Sequence, residues 1–121
     1  MGDNYGVVKA AAVQAASVFL DREGSTAKAC RLIREAGANG ARVIGFPEGF
    51  IPAHPVWYHH HAASGAIANK LAVELFKNSV EIPGPETDAL CAAALDANAY
   101  VVIGVCEKIP NTIGTMFNSQ L

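Results

Sequence analysis

The first half of the chain alternates strand-like apolar runs with a helical pattern, and this alternation restricts the fold more than any other feature. Two apolar runs, Val7 to Ala15 and Ala41 to Phe46, flank the segment Ser25 to Ala38, in which apolar residues recur every three or four positions. A strand, a helix and a second strand within about 40 residues form a βαβ unit, whose strands lie parallel and whose crossover is right-handed. The sequence therefore predicts an α/β fold built on a parallel sheet.

The predicted first helix has candidate signals at both ends. Ser25 or Thr26 is a candidate N-cap, and Gly37 or Gly40 is a candidate stop signal. The residues predicted to face the core are Ala29, Ile33 and Ala36.

The second half of the chain predicts two more helices and two more strands. Helical spacing runs from Gly65 to Ser79 and again from Asp88 to Ala99, where Thr87 is a candidate N-cap. The run Tyr100 to Lys108 predicts a third buried strand, and Thr115 to Leu121 predicts the start of a fourth. The residues predicted to face the core are Ile67, Leu71 and Leu75 of the first helix and Leu90, Ala94 and Ala97 of the second. No linker or repeat divides residues 1–121, so they are expected to belong to one domain.

Composition and charge argue against several classes of function. A net charge of −2 without a run of like charges offers no attraction for nucleic acid. No apolar window is long enough to cross a membrane. The apolar stretch near the start is not preceded by the basic segment that a signal peptide has. The three cysteines form no CxxC pair, which argues against a disulfide framework and a zinc site. We therefore expect a cytoplasmic protein with neither nucleic acid nor membrane as a partner. Because 51% of the residues are hydrophobic, part of the surface is expected to be covered by something else.

Glu48 follows the second predicted strand and is the candidate catalytic residue. In open α/β sheets, ligands bind beyond the carboxyl ends of parallel strands. Pro47 stiffens the backbone before Glu48 and Gly49 permits a sharp turn after it, so the carboxylate is expected to be held rigidly. Spacing alone leaves a solvated loop carboxylate as the alternative.

The other reactive side chains give weaker signals. His59, His60 and His61 are adjacent, and neighbouring side chains point in different directions, which disfavours a metal site formed with His54. Structural or solvated roles are expected for Cys30, Cys91, Cys106, Lys70, Lys77 and Lys108.

Five segments, in chain order, resemble the nitrilase branch of the carbon–nitrogen hydrolase superfamily. The segment "VIGFPEGFIPAHPVW", with Glu48 in its FPE motif, resembles the part of that family that carries the catalytic glutamate. The segments "VVKAAAVQAASVFLD", "VEIPGPETDAL", "YVVIGVCEK" and "GTMFNSQL" are similar to its first strand, its PG turn, its next strand and its YN(T/S)xL strand.

The resemblance implies an α-β-β-α sandwich, of which residues 1–121 would be the N-terminal part. It also implies a Glu-Lys-Cys triad and no metal or organic cofactor. Glu48 would be the general base that takes a thiol proton, and the thiolate would attack the nitrile carbon. A carboxylic acid and ammonia would result. The family's lysine and cysteine follow the YN(T/S)xL strand, so they are expected beyond Leu121.

Substrate and assembly are also implied by the resemblance. The family's loop after the glutamate lines the substrate pocket, so His54 and Trp57 are predicted to contact substrate, with packing beneath the loop as the alternative for Trp57. The expected partners are a small nitrile, the remainder of the chain, and further copies in a homo-oligomer, a spiral built from dimers. A cyanide hydratase, an amidase and a non-catalytic half-domain remain alternatives. Residues 1–121 alone are expected to be inactive and poorly soluble.

Overall fold

Five short strands and three α-helices form the described part of the chain. The computed structural model describes residues 6–121, so the first residues of the N-terminal stretch considered for a signal peptide lie outside it. The strands are β1 Ala10–Ala12, β2 Val43–Gly45, β3 Tyr100–Val102, β4 Gly104–Lys108 and β5 Met116–Gln120. The helices are α1 Arg22–Ala38, α2 Ala66–Asn78 and α3 Pro85–Ala97, with a 3₁₀ helix at Val56–His59. Strands β1, β2 and β3 are parallel, whereas β4 and β5 form an antiparallel pair, which confirms the predicted α/β class.

The parallel sheet has one covered face and one open face. On the covered face, Ala11, Ile44 and Val101 stand side by side and pack in the cluster that α1 and α3 complete. The strand residues that point the other way are Ala10, Ala12, Val43, Gly45, Tyr100 and Val102. Tyr100 is 81% exposed and Val43 is 40% exposed. Within residues 6–121 the sheet therefore carries helices on one face only, as expected for one half of a sandwich.

Helices α1 and α3 lie side by side in the same direction and contact each other at both ends. At their N-terminal ends, Arg22 Nε lies 2.8 Å from Glu86 Oε1. At their C-terminal ends, a Cβ on Gly37 would lie 2.6 Å from the Cβ of Ala97. Gly37 therefore allows the close approach of the two helices, and it lies inside α1 rather than ending it.

Asp21 caps α1, so the prediction of Ser25 or Thr26 as the N-cap is wrong. The Asp21 carboxylate accepts a hydrogen bond from the Gly24 N–H at 2.9 Å. Ser25 Oγ instead accepts from the Val18 N–H and donates to the Val18 carbonyl. The sequence pattern missed the first turn because that turn is polar, and apolar spacing begins only where the helix reaches the core.

The C-terminal end of α1 agrees with prediction, whereas the N-terminal end of α3 does not. Helix α1 ends at Ala38, and Gly40 follows at φ +87°, which confirms Gly40 as the stop signal. Helix α3 begins at Pro85, so Thr87 is not its N-cap. Thr87 is the third residue of the helix, and its Oγ1 accepts a hydrogen bond from the Gly84 N–H. Proline fits the first helical position because it lacks an N–H that would stay unpaired there.

The predicted third strand is divided into β3 and β4 at Ile103. Ile103 exchanges two backbone hydrogen bonds with Leu121, at 3.1 and 3.0 Å, so the pairing partner changes there from β2 to the end of β5. An unbroken apolar run gives no sign of such a change. The first strand is also shorter than predicted, and two of its three residues, Ala10 and Ala12, are exposed because they point to the open face of the sheet.

The predicted core faces of the helices are largely confirmed, with one clear exception. Ile67 of α2 is 56% exposed, whereas the next residue, Ala68, is buried. Helix α2 buries a narrower stripe than its apolar pattern predicted. None of the helices in residues 6–121 is both long and apolar enough to cross a bilayer.

Candidate active site around Glu48

Glu48 lies in a loop that is held at both ends by backbone hydrogen bonds to one strand segment. Before the loop, the Phe46 N–H donates to the Val102 carbonyl at 2.8 Å. After it, the Cys106 N–H donates to the Ile51 carbonyl at 2.7 Å. The chain therefore leaves the sheet after β2, passes through Glu48 and returns to β4 within a few residues.

Two glycines give this loop its path. Gly49 adopts φ +58°, a conformation that favours glycine, as the sequence predicted for a sharp turn after Glu48. Gly104 lies directly beneath the loop. A Cβ on Gly104 would lie 2.6 Å from the Gly49 nitrogen and 2.7 Å from the Glu48 Cα, so only glycine allows β4 to approach this closely.

Two polar side chains contact the same oxygen of the Glu48 carboxylate. Asn118 Nδ2 donates a hydrogen bond to Glu48 Oε1 at 2.5 Å. His54 Nδ1 lies 3.8 Å from the same oxygen. The Glu48 side chain is 61% exposed, so a reactant can reach it while Asn118 fixes its orientation. This arrangement suits a carboxylate that accepts a proton from a bound group.

Asn118 reaches Glu48 because of the register of the β4–β5 pair. Asn118 lies opposite Cys106 in that register, and side chains alternate between the two faces of a strand. Gly104, Cys106 and Asn118 therefore share the face that adjoins the Glu48 loop. Sequence reasoning placed Asn118 in a strand motif but gave it no role. An asparagine within a strand, where this residue is uncommon, is the signal that was available.

Cys106 is close to Glu48 but is not arranged as a nucleophile. Its side chain is buried, and Sγ donates to the Ala53 carbonyl at 3.4 Å. Burial raises the pKa of the Cys106 thiol, and the negative charge of Glu48 raises it further. A neutral thiol of this kind packs as a small hydrophobic group, in agreement with the structural role expected from sequence.

The remaining cysteines and lysines lie in other environments. Cys30 is buried, and burial raises the pKa of its thiol, whereas Cys91 is exposed. Lys77 Nζ lies 2.8 Å from Glu74 Oε1 on α2. Lys108 ends β4, and its Nζ is 3.3 Å from Glu81 Oε1. These two lysines are thus engaged with other carboxylates.

The structure brings one of the two predicted substrate residues to Glu48. His54 lies beside the carboxylate, as described above. Trp57 is 5% exposed and packs beneath the loop with Leu75 and Cys106, with its ring edge-on to Phe19. Contact of either side chain with a substrate stays a prediction. Among residues 6–121, no three His, Cys, Asp or Glu side chains come together in a way that could hold a metal ion.

Comparison with known proteins assigns this arrangement to a family. Residues 9–121 match the family model described as carbon-nitrogen hydrolase. The chain belongs to the carbon-nitrogen hydrolase family. The match covers the Glu48 loop and the strand that bears Asn118, so the site belongs to the part of the chain that defines the family resemblance.

The relatives of this carbon-nitrogen hydrolase include proteins named as nitrilases. It is 43% identical over 121 residues to "Nitrilase 2" of an unknown prokaryotic organism, covering 100% of this chain and 38% of that protein. It is 44% identical over 118 residues to "Nitrilase" of Bacillus sp. (strain OxB-1), covering 98% of this chain and 33% of that protein. A "Cyanide hydratase" of Armillaria gallica is 37% identical over 107 residues, or 87% of this chain and 29% of that protein. The chain thus spans about a third of the length of these relatives, and the resemblance to nitrilases is confirmed.

Proposed function

We propose that this chain is the N-terminal part of a nitrilase that hydrolyses an organic nitrile to a carboxylic acid and ammonia. The observation that carries the proposal is the exposed Glu48 carboxylate, which Asn118 orients on a loop that matches the family. The names of two relatives support the reaction class.

In the proposed mechanism, Glu48 is the general base. It takes the proton of a cysteine thiol, and the thiolate adds to the nitrile carbon to give a thioimidate. A lysine stabilises the charge that develops on the nitrogen. One water molecule releases ammonia and leaves a thioester, and a second water molecule releases the acid and restores the thiol. These steps use only side chains and two waters.

We propose that the cysteine and the lysine come from outside residues 1–121. Cys106 is the thiol near Glu48, but it is buried, its Sγ donates to the Ala53 carbonyl, and burial raises the pKa of its thiol. Lys77 and Lys108 are paired with glutamates of their own. Residues 1–121 would then supply the general base, and the remainder of the same domain would supply the nucleophile and the lysine.

The proposal extends to substrate contacts, assembly and location. His54 is proposed to contact the substrate because it lies beside the base. Trp57 is proposed either to do so or to shape the loop from below. We further propose a homo-oligomer built from dimers, working in the cytoplasm.

A second candidate function is hydration, in which the product is an amide. The cyanide hydratase relative favours it, because a thioimidate that takes up water can release the amide before ammonia is lost. An amidase would start from the amide instead of the nitrile and would release the acid and ammonia from it. Chromatography of the products from a nitrile distinguishes a nitrilase, which yields acid and ammonia in equal amounts, from a hydratase, which yields the amide. An amidase is distinguished by its substrate, because it releases acid and ammonia from the amide and leaves the nitrile unchanged. A non-catalytic half-domain would release neither.

The test of the proposed function is Glu48→Gln in the full-length protein that carries these residues. Glutamine keeps the size of the side chain and its hydrogen bonding but cannot take the thiol proton. Release of ammonia from a panel of nitriles should fall by roughly 10² or more. The matched control is Glu35→Gln, because the Glu35 side chain is also 61% exposed but lies on α1. Near-normal turnover in Glu48→Gln would refute the role of Glu48.

A further inference from the structure

A cavity lies between the Glu48 loop and strand β5. Its volume is about 300 Å³, and its wall consists of Phe46, Glu48, Gly104, Asn118, Ser119 and Gln120. Three of these residues, Asn118, Ser119 and Gln120, are consecutive in β5. The side chains that β5 directs toward this cavity therefore determine which groups meet a small molecule held at the Glu48 carboxylate.

Gln120 lies on the same side of the β4–β5 pair as the Glu48 loop. It is opposite Gly104 in the register. A Cβ on Gly104 would point into the loop, 2.7 Å from the Glu48 Cα, and cross-strand partners direct their side chains to the same face. Because the next pair, Ile103 and Leu121, exchanges both backbone hydrogen bonds, Gly104 and Gln120 form the closer type of pair, with Cα atoms about 4.5 Å apart. The Gln120 side chain therefore starts beside the Glu48 loop.

The two residues that precede Gln120 in β5 have their polar atoms engaged by other side chains. Asn118 Nδ2 donates to Glu48 Oε1 at 2.5 Å. Ser119 points to the opposite face, where its Oγ donates to Glu107 Oε2 at 2.6 Å. Gln120 is exposed, and its amide has an oxygen that accepts hydrogen bonds and an NH₂ group that donates them. A neutral amide beside a carboxylate is suited to hold a water molecule, because each group can accept one of its two hydrogens.

We propose that Gln120 positions the water molecule that hydrolyses the thioester. Its Oε1 accepts a hydrogen bond from one O–H of the water, and Glu48 takes the proton of the other O–H as the water oxygen bonds to the acyl carbon. The C–S bond then breaks, the sulfur receives that proton from Glu48, and the acid leaves. The inference rests on the proposed function and adds a residue of this chain to the second half of the reaction.

The experiment uses Gln120→Met in the full-length protein, assayed on whichever of propionitrile, benzonitrile and phenylacetonitrile the wild type hydrolyses fastest. Methionine keeps the length of the side chain and removes the amide. Loss of one hydrogen bond to the water should lower kcat by about tenfold. KM should fall by a similar factor, because kcat/KM reports the steps up to the release of ammonia, which precede the attack of this water. Lys70→Met is the control, because it places the same side chain at an exposed position on α2, and it should leave both constants unchanged.

Mass spectrometry of the intact protein during turnover gives a second readout. In Gln120→Met, acyl-protein should accumulate relative to the wild type, because the thioester forms at its normal rate and is consumed slowly. A merely structural change would lower kcat/KM as well and would not accumulate this species. An unchanged kcat, or a loss of kcat without acyl-protein, would overturn the role of Gln120 and leave Glu48 as the base. If the wild-type protein hydrolyses none of the three nitriles, the proposed function fails and this inference fails with it.

Discussion

At the scale of single residues, the contact between Asn118 and Glu48 determines the orientation of the proposed base. Asn118 is exposed, so it adds little to the core, and its Nδ2 donates to an oxygen of the carboxylate that is the proposed base. A hydrogen bond to a charged group is among the stronger ones in proteins, and it restricts a side chain that is otherwise free to rotate. Asn118 is therefore a positioning residue for the proposed reaction.

Asn118→Ala in the full-length protein should lower kcat by roughly 10-fold to 100-fold, while KM and the melting temperature stay nearly unchanged. The reason is that the carboxylate remains present but loses its fixed orientation. Steady-state kinetics and thermal unfolding provide the measurements. Asn69→Ala is the control, because Asn69 Nδ2 donates to the Ser64 carbonyl at an exposed site on α2. A change confined to KM, or an equal loss in both variants, would contradict the positioning role.

At the scale of elements, the approach of β4 to the Glu48 loop depends on Gly104. The atoms that a Cβ would meet belong to the backbone of the loop, which cannot swing aside as a long side chain can. Gly104→Ala should therefore displace the loop, lower turnover by about 10² and lower the melting temperature. Gly6→Ala is the matched control, because a Cβ at Gly6 meets nothing within 4 Å. Turnover at the wild-type level in Gly104→Ala would show that the loop does not need this contact.

Elements also show how far the sequence alone could predict this structure. The buried face of α1, with Ala29 and Ile33, was predictable because it depends on local spacing. The position of Glu48 at the end of β2 was predictable for the same reason. The partner of Glu48 was not, because it depends on the register of β4 with β5 and on a bend in the loop. The break at Ile103 was also hidden, since it arises from a backbone pairing with Leu121 rather than from a change in residue type.

At the scale of the whole molecule, the parallel sheet has one face that no helix of the described residues covers. Its outward residues include Tyr100, Val43 and Val102, which are apolar or aromatic and exposed. Contiguous apolar surface of this kind drives association in water. This face accounts for part of the 51% hydrophobic content of the sequence, and another layer is expected to cover it.

Residues 1–121 expressed alone should show no nitrile hydrolysis and should aggregate as concentration rises. Light scattering and ammonia release are the measurements. The double variant Val43→Glu and Tyr100→Glu should reduce aggregation without restoring activity, because it places charges on the open face. The control is Ala27→Glu with Ala92→Glu, which adds the same charge at exposed helical positions. Equal solubility gains in both double variants would show that net charge, and not the open face, governs association.

The hydrogen bond between Asn118 and Glu48 also sets an order of events during synthesis. Glu48 precedes Asn118 by 70 residues, so the ribosome adds the carboxylate to the chain long before the amide that orients it. At about 5–20 residues per second, several seconds separate the two. The hydrogen bond that orients Glu48 can therefore form only after the β4–β5 hairpin has been translated.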